Sequence, residues 1–220
     1  MIVNFHTHPL KTAAGTDAVM RLISVEAAFL SSYQWGELDF IALQPGSSPS
    51  SDTPPPVEFS HLAALEQVTA IGEAGLDRIN SSVPIPQQIE NFKAVARLAE
   101  TLRKPLVIHQ VRALPEILSL HKSLRPRQNW LIHGFRGNVA ELRQVIGKNI
   151  YISLNPLILE KNDLNAEIMA LNFHCIGLET DCAPIKISDV YAKAAAKWQL
   201  NANDLELRLQ ENFNHFRQRN

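Results

Sequence analysis

Apolar residues along this chain come in short runs, separated by longer stretches in which apolar and polar positions alternate at helical spacing. The runs are Ile2–Phe5, Leu22–Val25, Asp39–Leu43, Val68–Gly72, Leu106–Ile108, Trp130–Ile132, Ile150–Leu154 and Cys175–Leu178. Each is too short for a helix and rich in Val, Ile and Leu, as strands buried on both faces are. The helical period is clearest from Gln87 to Arg103, where Ile89, Phe92, Val95, Ala96 and Ala99 fall on one stripe. Shorter versions cover Ala113–Leu124, Val139–Ile146 and Asp163–Leu171. Alternation of this kind around eight strand signals predicts an α/β fold with a parallel sheet, a (β/α)8 TIM barrel. The helices after the first two strands should be short. Two further helices are expected between Asp189 and Phe216. The second is capped by Asn203 and lays Leu205, Leu209, Phe213 and Phe216 against the barrel.

One segment breaks the rhythm. From Gln44 to Val57 the chain is dense in proline and serine, which can continue neither a strand nor a helix. Such a loop is either a lid over a site or a plain connection. The 220 residues, 45% of them hydrophobic, suffice for a full core, and residues 1–220 are expected to form a single barrel domain. Typical barrels have about 250 residues, so this one is compressed. No run approaches the roughly 18 apolar residues of a membrane span, and no leader pattern opens the chain. Two cysteines, Cys175 and Cys182, fit neither a disulfide framework nor a cysteine-ligated zinc site, which points to a reduced, cytoplasmic setting. A net charge of −1 excludes a broad basic track for long nucleic acid. No feature indicates a protein partner, and a monomer is expected.

The chemistry lies where the runs end. His6-Thr7-His8 closes the first, Glu73 the fourth, His109 the fifth, His133 the sixth and Glu179-Thr180-Asp181 the eighth. In a parallel barrel these C-terminal ends share one rim, where active sites are built. Residues i and i+2 of a strand face the same side, so His6 and His8 can aim at one ion, and Glu179 and Asp181 also share a face. Each element alone is weak, because histidines often only pack or hydrogen-bond. Together they form a nitrogen and oxygen set suited to Zn²⁺, Mn²⁺ or similar ions. His61, His121, His174 and His215 read as surface residues. Gly72-Glu73-Ala74-Gly75 lacks the spacing of a dinucleotide fold, and no G-x-S-x-G elbow supplies a serine nucleophile.

Met1–Leu10 (MIVNFHTHPL), Ile71–Asp77 (IGEAGLD), Lys104–His109 (KPLVIH), His133–Gly137 (HGFRG) and Leu178–Pro184 (LETDCAP) resemble, in order, the motifs of TatD-like metal-dependent hydrolases. Glu211-Asn212-Phe213 and Phe216 resemble that family's closing segment. The resemblance implies a TIM barrel with two divalent metal ions (Zn, Mn or Mg) and deoxyribonuclease or phosphodiesterase activity on DNA ends or a small phosphodiester. It places His6, His8 and Asp181 on one ion and His109 and His133 on the other, with Glu73 between. The chain also departs from the family pattern. Asn4 stands where an acidic residue is usual, and Gln44-Pro45 replaces His-Pro. Arg112 follows His109 by three positions rather than two, one extra residue separates Asp181 from Pro184, and the loop after Pro184 is short. Two divalent ions less the charges of Glu73 and Asp181 leave a site of about +2, suited to a phosphodiester anion. Water between the ions, acidified to hydroxide, is expected to attack phosphorus in line, with Asp181 taking its proton. Arg112 and Arg136 are candidates to hold phosphate oxygens. Two alternatives stay open: an amidohydrolase-type enzyme cleaving C–N or C–O bonds, and a metal-binding barrel without activity.

Overall fold

The computed structural model describes residues 1–9, 19–32, 36–45, 57–146, 148 and 150–218. The proline- and serine-rich stretch, apart from its two ends, lies outside the described residues, and with it the question of a lid. Four strands open the chain: β1 (Ile2–Thr7), β2 (Val19–Glu26), β3 (Asp39–Gln44) and β4 (Val68–Asp77). Four more follow: β5 (Leu106–Val111), β6 (Trp130–Ile132), β7 (Ile150–Leu154) and β8 (Ile176–Leu178). All pair in parallel with their chain neighbours, in the order β1 to β8. This is the expected barrel. The strands are buried almost end to end, every residue of β7 included, because helices cover one face and the barrel interior the other. β1, β4 and β5 run on past their apolar portions to carry polar residues inward. Cys175 falls just before β8 rather than within it.

Among the described residues a short 3₁₀ helix, Ala27–Ser32, follows β2. The helices proper are α1 (Val57–Ala64), α2 (Ile85–Leu102), α3 (Leu114–Leu124), α4 (Val139–Val145), α5 (Asn162–Ala170), α6 (Ile187–Trp198) and α7 (Ala202–Phe216). The inward stripe of α2 differs from the one its apolar residues predict. Gln88 and Asn91 are buried, while Ile89 only borders the core. The cause is a clamp: Gln88 accepts the Asp77 N–H (2.8 Å) and donates to the carbonyls of Asp77 (3.0 Å) and Val83 (2.6 Å). Those backbone groups would otherwise be unsatisfied where β4 ends. Helix α7 buries Leu205, Leu209, Phe213 and Phe216 completely, each contributing about 1.5–3 kcal/mol. Its cap is Asn201, whose side chain accepts the Asn203 N–H, rather than Asn203 itself.

The sheet does not close by a full ladder. Between β1 and β8 the strand pairing consists of one parallel bridge, Thr7 with Asp181. Side chains complete this seam. The Tyr191 hydroxyl of α6 donates to Val3 O (3.0 Å) and accepts Val3 N–H (3.3 Å), as a neighbouring strand would. On the other side of the barrel β4 and β5 approach very closely. A Cβ on Gly72, where φ is +119°, would lie 2.2 Å from Val107 O, and one on Gly75 would lie 1.7 Å from His109 O. Only glycine fits there.

Candidate metal centre

Six predicted residues meet at the C-terminal rim. His6 closes β1 and is fully buried; His8 follows it and is half-buried. Glu73 lies in β4 between the two close-approach glycines, His109 in β5, His133 just after β6, and Asp181 beyond β8. Glu73 stands between two groups of rings. Its Oε1 lies 3.3 Å from His6 Nε2 and 3.0 Å from His8 Nε2. Its Oε2 lies 2.9 Å from His133 Nε2 and 3.6 Å from His109 Nδ1. Asp181 Oδ1 faces the first group, 3.6 Å from His6 Nε2 and 3.4 Å from His8 Nε2. The His6 and His133 rings stack at 4.1 Å.

Two of the four rings are oriented by a group on their outer nitrogen. Ser24 Oγ lies 3.4 Å from His6 Nδ1, and Asp77 Oδ2 lies 3.2 Å from His109 Nε2. Glu179 Oε1 lies 4.0 Å from His133 Nδ1, beyond hydrogen-bond distance, while its other oxygen accepts from Ser153. Asp77 is fixed by the N–H groups of Ile79 and Asn80 and by the Asn80 amide. Such outer partners set which ring nitrogen faces inward. Here Nε2 of His6, His8 and His133 and Nδ1 of His109 point to the centre. Sequence reasoning placed Glu179 on the right face but gave it no role, and it missed Asp77, Ser24 and Ser153. The register of Asp77, four residues after Glu73 on one strand, was the available signal.

Asn4 takes part as well. Its amide donates to Thr180 Oγ1 (2.8 Å), and its carbonyl accepts Thr180 N–H (3.2 Å). The Thr180 hydroxyl then donates to Thr7 Oγ1 (3.3 Å), and Thr7 donates to Asp181 O (3.3 Å). This one-way chain runs from β1 across the seam to Asp181, whose backbone sits at a positive φ of 52°. An amide at position 4 sets its direction, because it can donate to Thr180 and a carboxylate cannot.

The electrostatics follow from the crowding. Burial by itself would lower the His6 pKa, but the Glu73 carboxylate and Asp181 outweigh it, and the ring is pushed up to about 10. His8 is raised against burial to about 9 by hydrogen bonds to Asp181 and Glu73. Burial would raise Glu73, yet the His133 and His6 rings hold it well below the usual carboxylate range. Asp181 is also held well below that range, chiefly by hydrogen bonds from His6 and His8. The exposed Cys182 thiol is pushed up to about 11 by partial desolvation and the adjacent Asp181 charge, which leaves it unreactive at neutral pH.

These residues fit a divalent cation. Donor atoms of His6, His8 and Asp181 all lie within 4.8 Å of one another, as do those of His6, Glu73 and His133, and those of His133, Glu179 and Asp181. Buried His6 Nε2 and Glu73 Oε1 face each other at 3.3 Å without forming a directed hydrogen bond. Buried polar atoms in that position require a partner, and imidazole nitrogens with carboxylate oxygens suit Zn²⁺ or Mn²⁺. The donors open into a cavity of about 670 Å³, lined also by Ser24, Glu26, Phe29 and Gln44. Arg112 and Arg136 are exposed, and neither lines this cavity.

Known proteins resemble the chain throughout. A family model described as TatD-related DNase matches residues 35–216. An uncharacterised metal-dependent hydrolase of Buchnera aphidicola is 28% identical over 127 residues, 56% of this chain and 48% of that protein. A 3′-5′ ssDNA/RNA exonuclease TatD of Citrobacter rodentium is 28% identical over 141 residues, 62% of this chain and 53% of that one. The matched portion thus spans about half the length of these curated relatives. Among solved structures, a TatD-family hydrolase from Entamoeba histolytica superposes with a TM-score of 0.76 at 13% identity, covering 98% of this chain and 97% of that one. A TatD homologue from Escherichia coli K12 superposes at 0.70 and 19% identity, covering 89% and 85%. At those identities the likeness shows a shared fold.

Proposed function

Because the chain belongs to the TatD-related DNase family, we propose that it is a divalent-metal-dependent hydrolase of phosphodiester bonds, acting on nucleic-acid ends or small phosphodiesters. The observation that carries this reading is Glu73, buried between two groups of imidazoles with one oxygen turned to each. His6, His8 and Asp181 would hold one ion and His109 and His133 a second, with Glu73 shared between them. Bound divalent ions supply Lewis acidity and an acidified water. The chain supplies the rest. Glu73 and Asp181 stay ionised, so they can ligate and, at Asp181, accept a proton. Ser24 and Asp77 keep the His6 and His109 nitrogens aimed, so those rings need no reorientation when substrate arrives. The exonuclease name of the Citrobacter rodentium relative supports a nucleic-acid substrate. Against a lysine-bridged centre of the amidohydrolase type, Lys104 lies before β5 with its Nζ bonded to the carbonyls of Ala63 and Leu65.

Metal analysis of the purified protein should find two divalent ions per chain. A generic aryl phosphodiester with added Mn²⁺, then single-stranded DNA and RNA, should be turned over. Glu73→Ala should lose both metal and turnover. A metal-loaded protein inert toward all of these substrates would sink the proposal.

A further inference from the structure

The cavity that holds the metal donors also holds an aromatic ring with no core role. Phe29, on the 3₁₀ helix after β2, is 58% exposed. Of the large apolar side chains left exposed among the described residues, it alone lines this cavity. The same stretch of chain touches the donors: Ser24 Oγ lies 3.4 Å from His6 Nδ1, five residues before Phe29. Two strand residues and three of 3₁₀ helix span at most about 13 Å. That is the scale of a nucleotide with its base.

Glu26 and Ser32 line the same cavity. An alkyl substituent laid on Phe29 would cover these polar groups without pairing them, at a cost. A nucleobase offers a flat face to the ring and hydrogen-bonding edges to its surroundings. With a net charge of −1 the protein as a whole offers little attraction to hold a long strand by its phosphates. A second anchor that works without charge is therefore needed, and stacking provides one for any base.

Building on the phosphodiesterase reading above, we propose that Phe29 is a stacking subsite for the base of the nucleotide whose phosphate faces the metal donors. Glu26, an acceptor only, accepts from an exocyclic amino group on that base. Cytosine is thus favoured over uracil.

The test is calorimetric titration of the full-length, metal-loaded protein with dCMP, dUMP and 2-deoxyribose 5-phosphate. dCMP should bind at least about tenfold tighter than the sugar phosphate, the size of one base stack. Phe29→Ala, at an exposed position that folding does not depend on, should bring the two ligands to nearly equal affinity, and Phe29→Tyr should restore the gap. Glu26→Gln should reduce the preference for dCMP over dUMP. Equal binding of dCMP and sugar phosphate, no binding of dCMP, or a base preference that survives Phe29→Ala would overturn the subsite. A dUMP affinity matching that of dCMP would overturn the role of Glu26. Base-selective binding without turnover of any diester would keep the subsite and remove the hydrolase; turnover without base selectivity would do the reverse.

Discussion

The two sides of the donor cluster are held in different ways. Glu73 and His109 ride on β4 and β5, strands in continuous register from Ala74 to Asp77 and pressed together at Gly72 and Gly75. His6, His8 and Asp181 sit at the seam between β1 and β8, where one bridge replaces a ladder and Asn4, Thr7, Thr180 and Tyr191 do the joining. On the first side the backbone fixes the donors and leaves no room for side chains. On the second, a single backbone bridge is supplemented by side chains. The ladder side should therefore fail by steric clash and the seam by loss of single hydrogen bonds.

Gly75→Ala should be the most damaging change. Its Cβ would meet His109 O at 1.7 Å, so β4 must leave β5, at a cost above about 4 kcal/mol. Insoluble or unfolded protein on expression is the expected result, and a soluble variant of unchanged Tm would break the comparison.

Next comes pH. In metal-free protein the pKa values of His6 and His8 rise from 6.5 to about 10 and about 9, so their stabilisation is complete below about pH 6.5 and vanishes as pH climbs through those values. Glu73 and Asp181 are shifted down, so theirs is complete above about pH 4.5 and is lost on acidification. Thermal melts of metal-free protein should thus peak between about pH 4.5 and 6.5 and decline toward pH 10. Saturating Mn²⁺, which binds deprotonated rings, should flatten the alkaline decline. Stability of the metal-free form rising from pH 7 to 10 would contradict this electrostatic picture.

At the seam, Asn4→Ala leaves the buried Thr180 N–H unpaired and should cost about 1–3 kcal/mol in urea unfolding. Asn4→Asp keeps that N–H bonded but turns the Thr180 hydroxyl toward the carboxylate. It should cost less stability than Asn4→Ala and still weaken metal binding through Asp181. Tyr191→Phe removes the hydroxyl serving both buried Val3 groups and should likewise cost about 1–3 kcal/mol. An Asn4→Ala protein as stable as the parent would show that the seam holds without Asn4.

The contrast also marks what could be read in advance. The clustering of the histidines and carboxylates was legible because the apolar runs stop at them and a parallel barrel brings those stops to one rim. Phe213 and Phe216 were legible because helical period and burial agree. Gln88 was not: a polar residue buried to serve the backbone of Asp77 breaks the apolar stripe by which a helix face is recognised. Asn203 was the expected cap and Asn201 is the actual one, since an asparagine at either position can cap and only the helix start decides. Arg112 and Arg136 shared the rim by strand position, yet both lie exposed outside the cavity wall.

By itself, then, the sequence determined the barrel, the strand ends and the chemical kind of the donors, since each follows from the period of burial along a single element. Only the tertiary structure decided the rest: which nitrogen of each ring faces inward, that Asp77 orients His109, that Asn4 crosses the seam, and that Phe29 lines the cavity into which the donors open. These depend on distances between strands far apart in the chain, which no local period encodes.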